Sequence, residues 1–216
     1  MAGLSAAAGR VYDRLFAAVY DPILAGPERA GLGDARTGLL AHASGHVVEI
    51  GAGTGVNLRH LPRGLRSLVL VEPSGPMRAR LESAVAAVQA ELPADVRVVD
   101  GTAAALPVAD GSVDTLSTLV LCSVPDPQAA IAELRRALAP DGRLLLIEHV
   151  AGHGRTRRLQ RIIDPAWRIV GRGCRLVRDT RAELERGGFD TTHVDDWALP
   201  GGGITGPALL GTARPR

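Results

Sequence analysis

Residues 46–57 read HVVEIGAGTGVN: an apolar run from His46 to Ile50 passes into three glycines, Gly51, Gly53 and Gly55, each two residues from the next. A short apolar run of this kind reads as a buried strand. The glycines let the backbone turn sharply and come close to a ligand with no Cβ in the way. A helix is expected to start after the third glycine. Strand, glycine loop and helix together open a βαβ unit, so the rest of the chain should alternate in the same way.

It does. Apolar runs return at 67–72 (SLVLVE), 96–100 (VRVVD), 113–121 (VDTLSTLVL) and 142–150 (GRLLLIEHV). Several are apolar almost throughout, the pattern of parallel strands covered on both faces. Between them, Met77, Leu81, Val85, Val88 and Leu92 form a helical stripe that should face the sheet. A second helix runs over 127–138, with Asp126 as its cap, Pro127 in its first turn and Ile131, Leu134 and Leu138 inward. The stretch APDGR, 139–143, is a turn back to a strand. After His149 come an arginine-rich helical region at 155–170 and a short helix near 180–187. Runs at 191–199 and 204–213 then read as strands joined through Pro200, Gly201, Gly202 and Gly203. The expectation is an α/β fold: a Rossmann-like, doubly wound, seven-stranded mixed sheet with a C-terminal antiparallel hairpin and a helical cap. Residues 1–216 read as one domain, with N-terminal helices or a lid over 1–45, a core over 46–150, and cap helices with the hairpin over 151–216.

The bulk numbers suit that size. Of 216 residues, 46% are hydrophobic and 22% charged, enough for a sizeable core, while aromatics are only 3%. All 25 basic residues are arginine. The net charge is +2, yet the segment 155–181 holds nine arginines against Asp164 and Asp179. Such a segment is either a solvated helix face or a surface for phosphate, lipid headgroup or acidic substrate. Cys122 and Cys174 have no Cys or metal-spaced His near them in sequence, so neither a disulfide framework nor a metal site is expected. The N-terminal MAGLSAAAGRVYDRLF is broken by Arg10, Asp13 and Arg14 before a membrane span is complete, and lacks the charged start and apolar block of a signal peptide. A cytoplasmic protein with reduced thiols is the expectation.

The loop limits its own ligand. Acidic residues stand at the ends of the next two strands, Glu72 and Asp100, and Glu72 follows Gly51 by 21 residues, about where a carboxylate takes both ribose hydroxyls. A dinucleotide fingerprint wants G-x-G-x-x-G, but Val56 stands where its third glycine belongs. A P-loop needs a lysine, and the chain has none. A nucleoside without an essential phosphate remains. Glu49, at the end of the first strand, would repel a pyrophosphate and favour an ammonium or sulfonium, and S-adenosylmethionine carries both. Glu49 can equally hydrogen-bond loop amides; the two roles are compatible.

With these residues in place, VVEIGAGTG, LVLVEP and AAALPVADGSVDTL together resemble the class I S-adenosylmethionine-dependent methyltransferases over residues 47–150. More narrowly, DGSVDTLSTLVLCSVPDP, RRALAPDGRLLLIEHV, DPAW and GCRLVRDT resemble the methyltransferase-like branch that includes the mammalian microsomal alkyl thiol S-methyltransferases, from about Tyr20 to Gly188. The resemblance implies S-adenosylmethionine as cofactor, cradled at Gly51, Gly53 and Gly55, with Ala52, Thr54 and Asn57 in the same site beside Glu49. It implies Glu72 on the ribose, Pro73 and Met77 at the adenine, and Thr118 and Leu119 near the methionine amino group. Gly101, Thr102 and Ala103 stand where the family has Gly-Asp-Ala, so its usual adenine acceptor is missing and Thr102 or Asp100 must substitute. The N-terminal hydrophobic anchor of the mammalian relatives is absent, so membrane residence is not carried over.

Methyl transfer is an in-line displacement, for which a protein mainly supplies alignment and a dry pocket. A thiol acceptor needs little help from a base, since a thiol of pKa ~8.5 is already partly thiolate. A carbon or phenol acceptor needs one, and His149 and Asp164 are the candidates. His149 can instead hold a loop carbonyl at a strand end, and Asp164, before Pro165, can instead cap the helix carrying Trp167. Cys122 reads as pocket lining rather than a nucleophile. Tyr20 and Trp167 are further pocket candidates; with Tyr12 and Phe16 they either close a lid or pack. A small-molecule acceptor, best an alkyl thiol, is expected. A lipid, quinone or other natural product is the alternative, with peripheral membrane contact through the 155–181 arginines. Nucleic acid fits less well, because there are few aromatics to stack bases.

Overall fold

The computed structural model describes residues 6–216, with Ala6, Ala7, Ala8, Arg10, Ser117 and Thr118 placed by backbone only. Met1 to Ser5, the start of the N-terminal MAGLSAAAGRVYDRLF segment, lie outside the described residues. Seven strands form one sheet in the order β3-β2-β1-β4-β5-β7-β6. They are β1 His46–Ile50, β2 Ser67–Val71, β3 Asp95–Val99, β4 Val113–Thr118, β5 Leu138–His149, β6 Phe189–Ala198 and β7 Pro207–Pro215. β1 to β5 are parallel, and β7 runs antiparallel between β5 and β6. The helices are α1 Ala6–Pro27, α2 Gly33–Leu40, α3 Gly75–Val88, α4 Pro127–Ala137, α5 Gly154–Val170 and α6 Thr180–Arg186. The fold is therefore the mixed doubly wound sheet, with the C-terminal antiparallel pair, that the sequence leads one to expect.

The uninterrupted apolar strands are explained by two cores, one on each face. Along β2, Leu68 and Leu70 join the core under α2 and α3, while Val69 and Val71 join the core under α4 and α6. β5 divides the same way, Leu145 and Ile147 to one side and Leu144 and Leu146 to the other. Because side chains alternate across a strand, both registers must be apolar. On α3, Met77, Leu81 and Val85 are buried, as their spacing requires. Burying each such side chain contributes roughly 1.5–3 kcal/mol.

Four local expectations are corrected. No α-helix follows Gly55; a 3-10 turn, Val56–His60, takes its place. Pro62 explains this, since it forces Leu61 into an extended conformation (ψ 139°) and ends the helix before it can grow. The stripe helix stops at Val88 for the same reason, with a 3-10 turn at Gln89–Glu91 and an extended Leu92 ahead of Pro93. The APDGR stretch does not precede β5 but bulges out of it: pairing passes from Val113↔Leu138 to Thr115↔Arg143. Pro140 has no N–H for the ladder, so the strand leaves it and returns. Finally, β4 ends at Thr118 rather than 121. The buried Glu148 carboxylate accepts the N–H groups of Val120 (2.6 Å), Leu121 (2.8 Å) and Cys122 (3.0 Å), which folds the chain into a turn.

Candidate active site

The strand order reverses between β1 and β4, and the cleft at their carboxyl ends is where open α/β sheets bind ligands. On one side lies the glycine loop. Gly51 has φ 67°, and a Cβ there would stand 2.9 Å from the Val120 side chain, so only glycine fits without displacing the opposite wall. The amides of Gly51 and Ala52 donate to the Val71 carbonyl at 2.8 and 3.1 Å, pinning the loop to the end of β2. Behind it, Glu72 is buried, with one carboxylate oxygen accepting Gly53 N–H at 3.0 Å and the other Ser74 N–H at 2.8 Å. Each oxygen keeps further acceptor capacity.

Glu49 lies deeper. Asn57 Nδ2 donates to its Oε1 at 2.9 Å, Arg36 donates to Asn57 Oδ1 at 2.7 Å, and Arg36 Nε is 2.7 Å from Glu28 Oε1. Glu49 Oε2 is buried and has no hydrogen-bond partner among the described residues. Burial pushes the Glu49 carboxyl up to about 7, against the Asn57 hydrogen bond and Arg36, which both lower it. Arg36 and Glu28, which the motif reading missed, are tied to Glu49 through Asn57. A signal existed: Arg36 lies at helical spacing between the buried Leu32 and Leu40, a charge on a buried face.

α1 closes over this loop. Tyr20 lines the same small cavity as Arg36, Glu49, Gly51, Asn57 and Leu119, and burial raises its hydroxyl pKa. Thr54 Oγ1 donates to Asp21 Oδ1 at 2.5 Å. Tyr20 thus lies beside the glycine loop, apart from Cys122 and Trp167, which pack together. Met77 is buried and Pro73 exposed. Gly101 packs against Val71, Ala103 is buried, and Thr102 is exposed in an isolated bridge to Ala105. Asp100, the other substitute for the missing acceptor, is 3.0 Å from Arg78. The Thr118 backbone pairs with Ile50; its side chain lies outside the described residues. A larger cavity of about 510 Å³ lies between α1, the 3-10 turn and α3, with Leu24, Leu58 and Val88 in its wall, but neither Glu49 nor Glu72 lines it.

Across the cleft, the turn after β4 carries Cys122, the end of β5 carries His149, and the segment after α5 carries Cys174. Their ligating atoms all lie within 4.8 Å of one another. Both thiols are free and buried. Trp167 and Ile163 pack against Cys122, Cys174 and Leu176. Asp164 stands in the middle of α5, which continues through Pro165, so it is not an N-cap. Its oxygens accept from Leu176 N–H at 2.9 Å and Arg175 Nε at 3.0 Å, a clasp that holds the following segment down. Arg175 N–H in turn donates to the Cys122 carbonyl at 2.9 Å.

Comparison with known proteins places the chain in a family. Residues 48–146 match the model of a methyltransferase domain. Human thiol S-methyltransferase TMT1B is 34% identical over 180 residues, 81% of this chain and 73% of its own length. Human thiol S-methyltransferase TMT1A is 34% identical over 157 residues, 71% of this chain and 64% of its own length. Among solved structures, an S-adenosylmethionine-dependent methyltransferase from Thermotoga maritima superposes with a TM-score of 0.70 at 20% identity, covering 95% of this chain and 99% of that one. Fold and site together define an S-adenosylmethionine-dependent methyltransferase of class I architecture. Within that class, the chain belongs to the methyltransferase family of the thiol S-methyltransferases TMT1A and TMT1B.

Proposed function

We propose that residues 1–216 act as one methyltransferase unit that moves the methyl group of S-adenosylmethionine to the sulfur of an alkyl thiol. One observation carries the donor site: the buried, unpartnered Oε2 of Glu49, which suits the donor's ammonium. Glu72 would take the ribose hydroxyls, while Gly51 and Gly53 admit the methionine part against bare backbone. Met77 and Pro73 would flank the adenine, with Thr102 at its edge. When bound, the donor supplies a methyl already activated on a sulfonium. The chain's own work is to orient it and keep water out, which Tyr20 and the rest of α1 do by covering the loop.

The likeness to the human thiol S-methyltransferases supports a thiol acceptor. So does the engagement of the two candidate bases: both Asp164 oxygens accept hydrogen bonds, and His149 Nδ1 faces the Cys174 sulfur at 3.8 Å. A thiol tolerates this, because a few per cent is thiolate at neutral pH without help.

A second reading, an apolar acceptor drawn from a membrane surface, has its own observation. Val11, Leu15, Val19 and Ile23 form an exposed i, i+4 stripe on α1, and Leu159, Ile162, Ile169 and Val170 are exposed on α5 among its arginines. Tyr12 joins the two helices through the Ile169 and Val170 carbonyls. No helix among the described residues is long and apolar enough to cross a membrane. Apolar faces flanked by arginine suit the surface of an anionic bilayer. On both readings the chain is cytoplasmic, where its two thiols stay reduced.

Labelled S-adenosylmethionine with a panel of alkyl thiols, phenols, quinones, phospholipids and RNA tests the proposal. Label recovered in a thioether is expected; label in a quinone or lipid product alone replaces the thiol with the second reading. Co-sedimentation with phosphatidylserine vesicles, lost on Ile162→Glu, tests the membrane surface.

A further inference from the structure

We propose that Cys122, His149 and Cys174 hold a single zinc ion at the carboxyl ends of β4 and β5 and leave its fourth coordination position open. Residue spacing hides this site, because His149 lies 27 positions after Cys122 and Cys174 a further 25. The fold brings all three donor atoms within 4.8 Å of one another, with Cys174 Sγ and His149 Nδ1 3.8 Å apart. A tetrahedral zinc ion with bonds of about 2.3 Å to sulfur and about 2.05 Å to nitrogen spaces its ligands by roughly 3.6–3.8 Å. The three side chains need only small movements to reach that spacing.

The supports of the three donors are already in place. Cys122 is held through its N–H by Glu148 at 3.0 Å and through its carbonyl by Arg175 N–H at 2.9 Å. His149 sits at the end of β5, paired with Ala208 of β7. Cys174 N–H donates to the Gly171 carbonyl at 3.0 Å, and Asp164 fastens the next two residues. The thiols are 4% and 6% exposed, so two thiolates there need a cation, and one divalent ion neutralises them. Two thiolates and an imidazole select zinc over the hard cations magnesium and calcium. No fourth His, Cys, Asp or Glu among the described residues completes the set, and three protein ligands with an open position are the pattern of a working rather than a purely structural zinc site. A thiolate suits that position; this clause alone rests on the thiol reading above.

The test uses the full chain purified with its thiols reduced. Zinc content by mass spectrometry and a cobalt titration followed by absorption should give one ion per chain and a sulfur-to-cobalt band. Cys122→Ser and Cys174→Ser should each lose the ion while the circular dichroism stays that of the wild type. Failure of the reduced wild type to bind zinc or cobalt overturns the site, and so does equal binding by both serine variants. If cobalt binds and an alkyl thiol leaves its spectrum unchanged, the open position is not the acceptor's. If the metal-free chain methylates thiols at the full rate, the zinc has no part in the reaction while the thiol reading stands.

Discussion

Asn57 Nδ2 donates to Glu49 Oε1 at 2.9 Å, while the other oxygen of the same buried carboxylate has no hydrogen bond among the described residues. A half-satisfied carboxylate in the interior costs stability whenever it is ionised.

The pH dependence follows from the Glu49 carboxyl, raised from 4.5 to about 7. The folded chain holds this proton more tightly than the unfolded one. The resulting stabilisation is complete below pH 4.5 and is lost as pH rises to about 7. Glu49→Gln removes the buried charge. It is expected to stabilise the ligand-free chain by about 1–3 kcal/mol at pH 8, and by clearly less at pH 5, in urea unfolding. The same variant should bind S-adenosylmethionine more weakly, and wild-type affinity should fall as pH drops below 7 and Glu49 takes up its proton.

Gly51→Ala brings two costs together. The φ of 67° is unfavourable for an L side chain, and the new Cβ meets Val120 at 2.9 Å. A loss of about 1–3 kcal/mol in stability is expected from denaturant melts, with donor binding reduced because the loop and the turn after β4 move apart.

Arg36 links the site to the helical layer. Arg36→Ala leaves Asn57 Oδ1 without its donor and Glu28 with only Arg59, 3.2 Å away and largely exposed, and His60 nearby. Unfolding measurements should give a loss of about 3 kcal/mol. Arg36 also holds the Glu49 carboxyl down, so the pH midpoint of donor binding should move upward in this variant.

Much of this architecture is legible in the residues, for identifiable reasons. The five parallel strands announce themselves because both faces are buried, so Leu68 to Val71 and Leu144 to Ile147 are apolar without a break. The glycine loop is legible because its close approach to neighbouring backbone, Gly51 and Ala52 to Val71, is made by residues near in sequence to the strands they join. What stayed hidden depends on tertiary contact. The 3-10 turn after Gly55 reflects Pro62, whose effect overrides the helical look of the segment. The end of β4 is set by Glu148, 28 residues from Val120. Cys122, His149 and Cys174 meet only because β4, β5 and the segment after α5 converge at one edge.

Asp164 separates clasp from base. Asp164→Asn keeps the volume but removes the charge that holds Arg175 and Leu176. A loss of about 1–3 kcal/mol of stability is expected, with the pH profile of turnover unchanged in shape. Unchanged stability together with loss of one limb of the profile would instead make Asp164 a base.

The donor site itself is tested most directly by calorimetric titration of S-adenosylmethionine into the wild type and Glu72→Ala, with circular dichroism to verify the fold. Glu72 is buried behind the loop, braced by Gly53 and Ser74, with acceptor capacity left for the ribose. Its removal should cost about 1.5–3 kcal/mol, roughly a 10- to 150-fold rise in Kd. An intact fold with an unchanged Kd would contradict the assignment of this cleft to the donor.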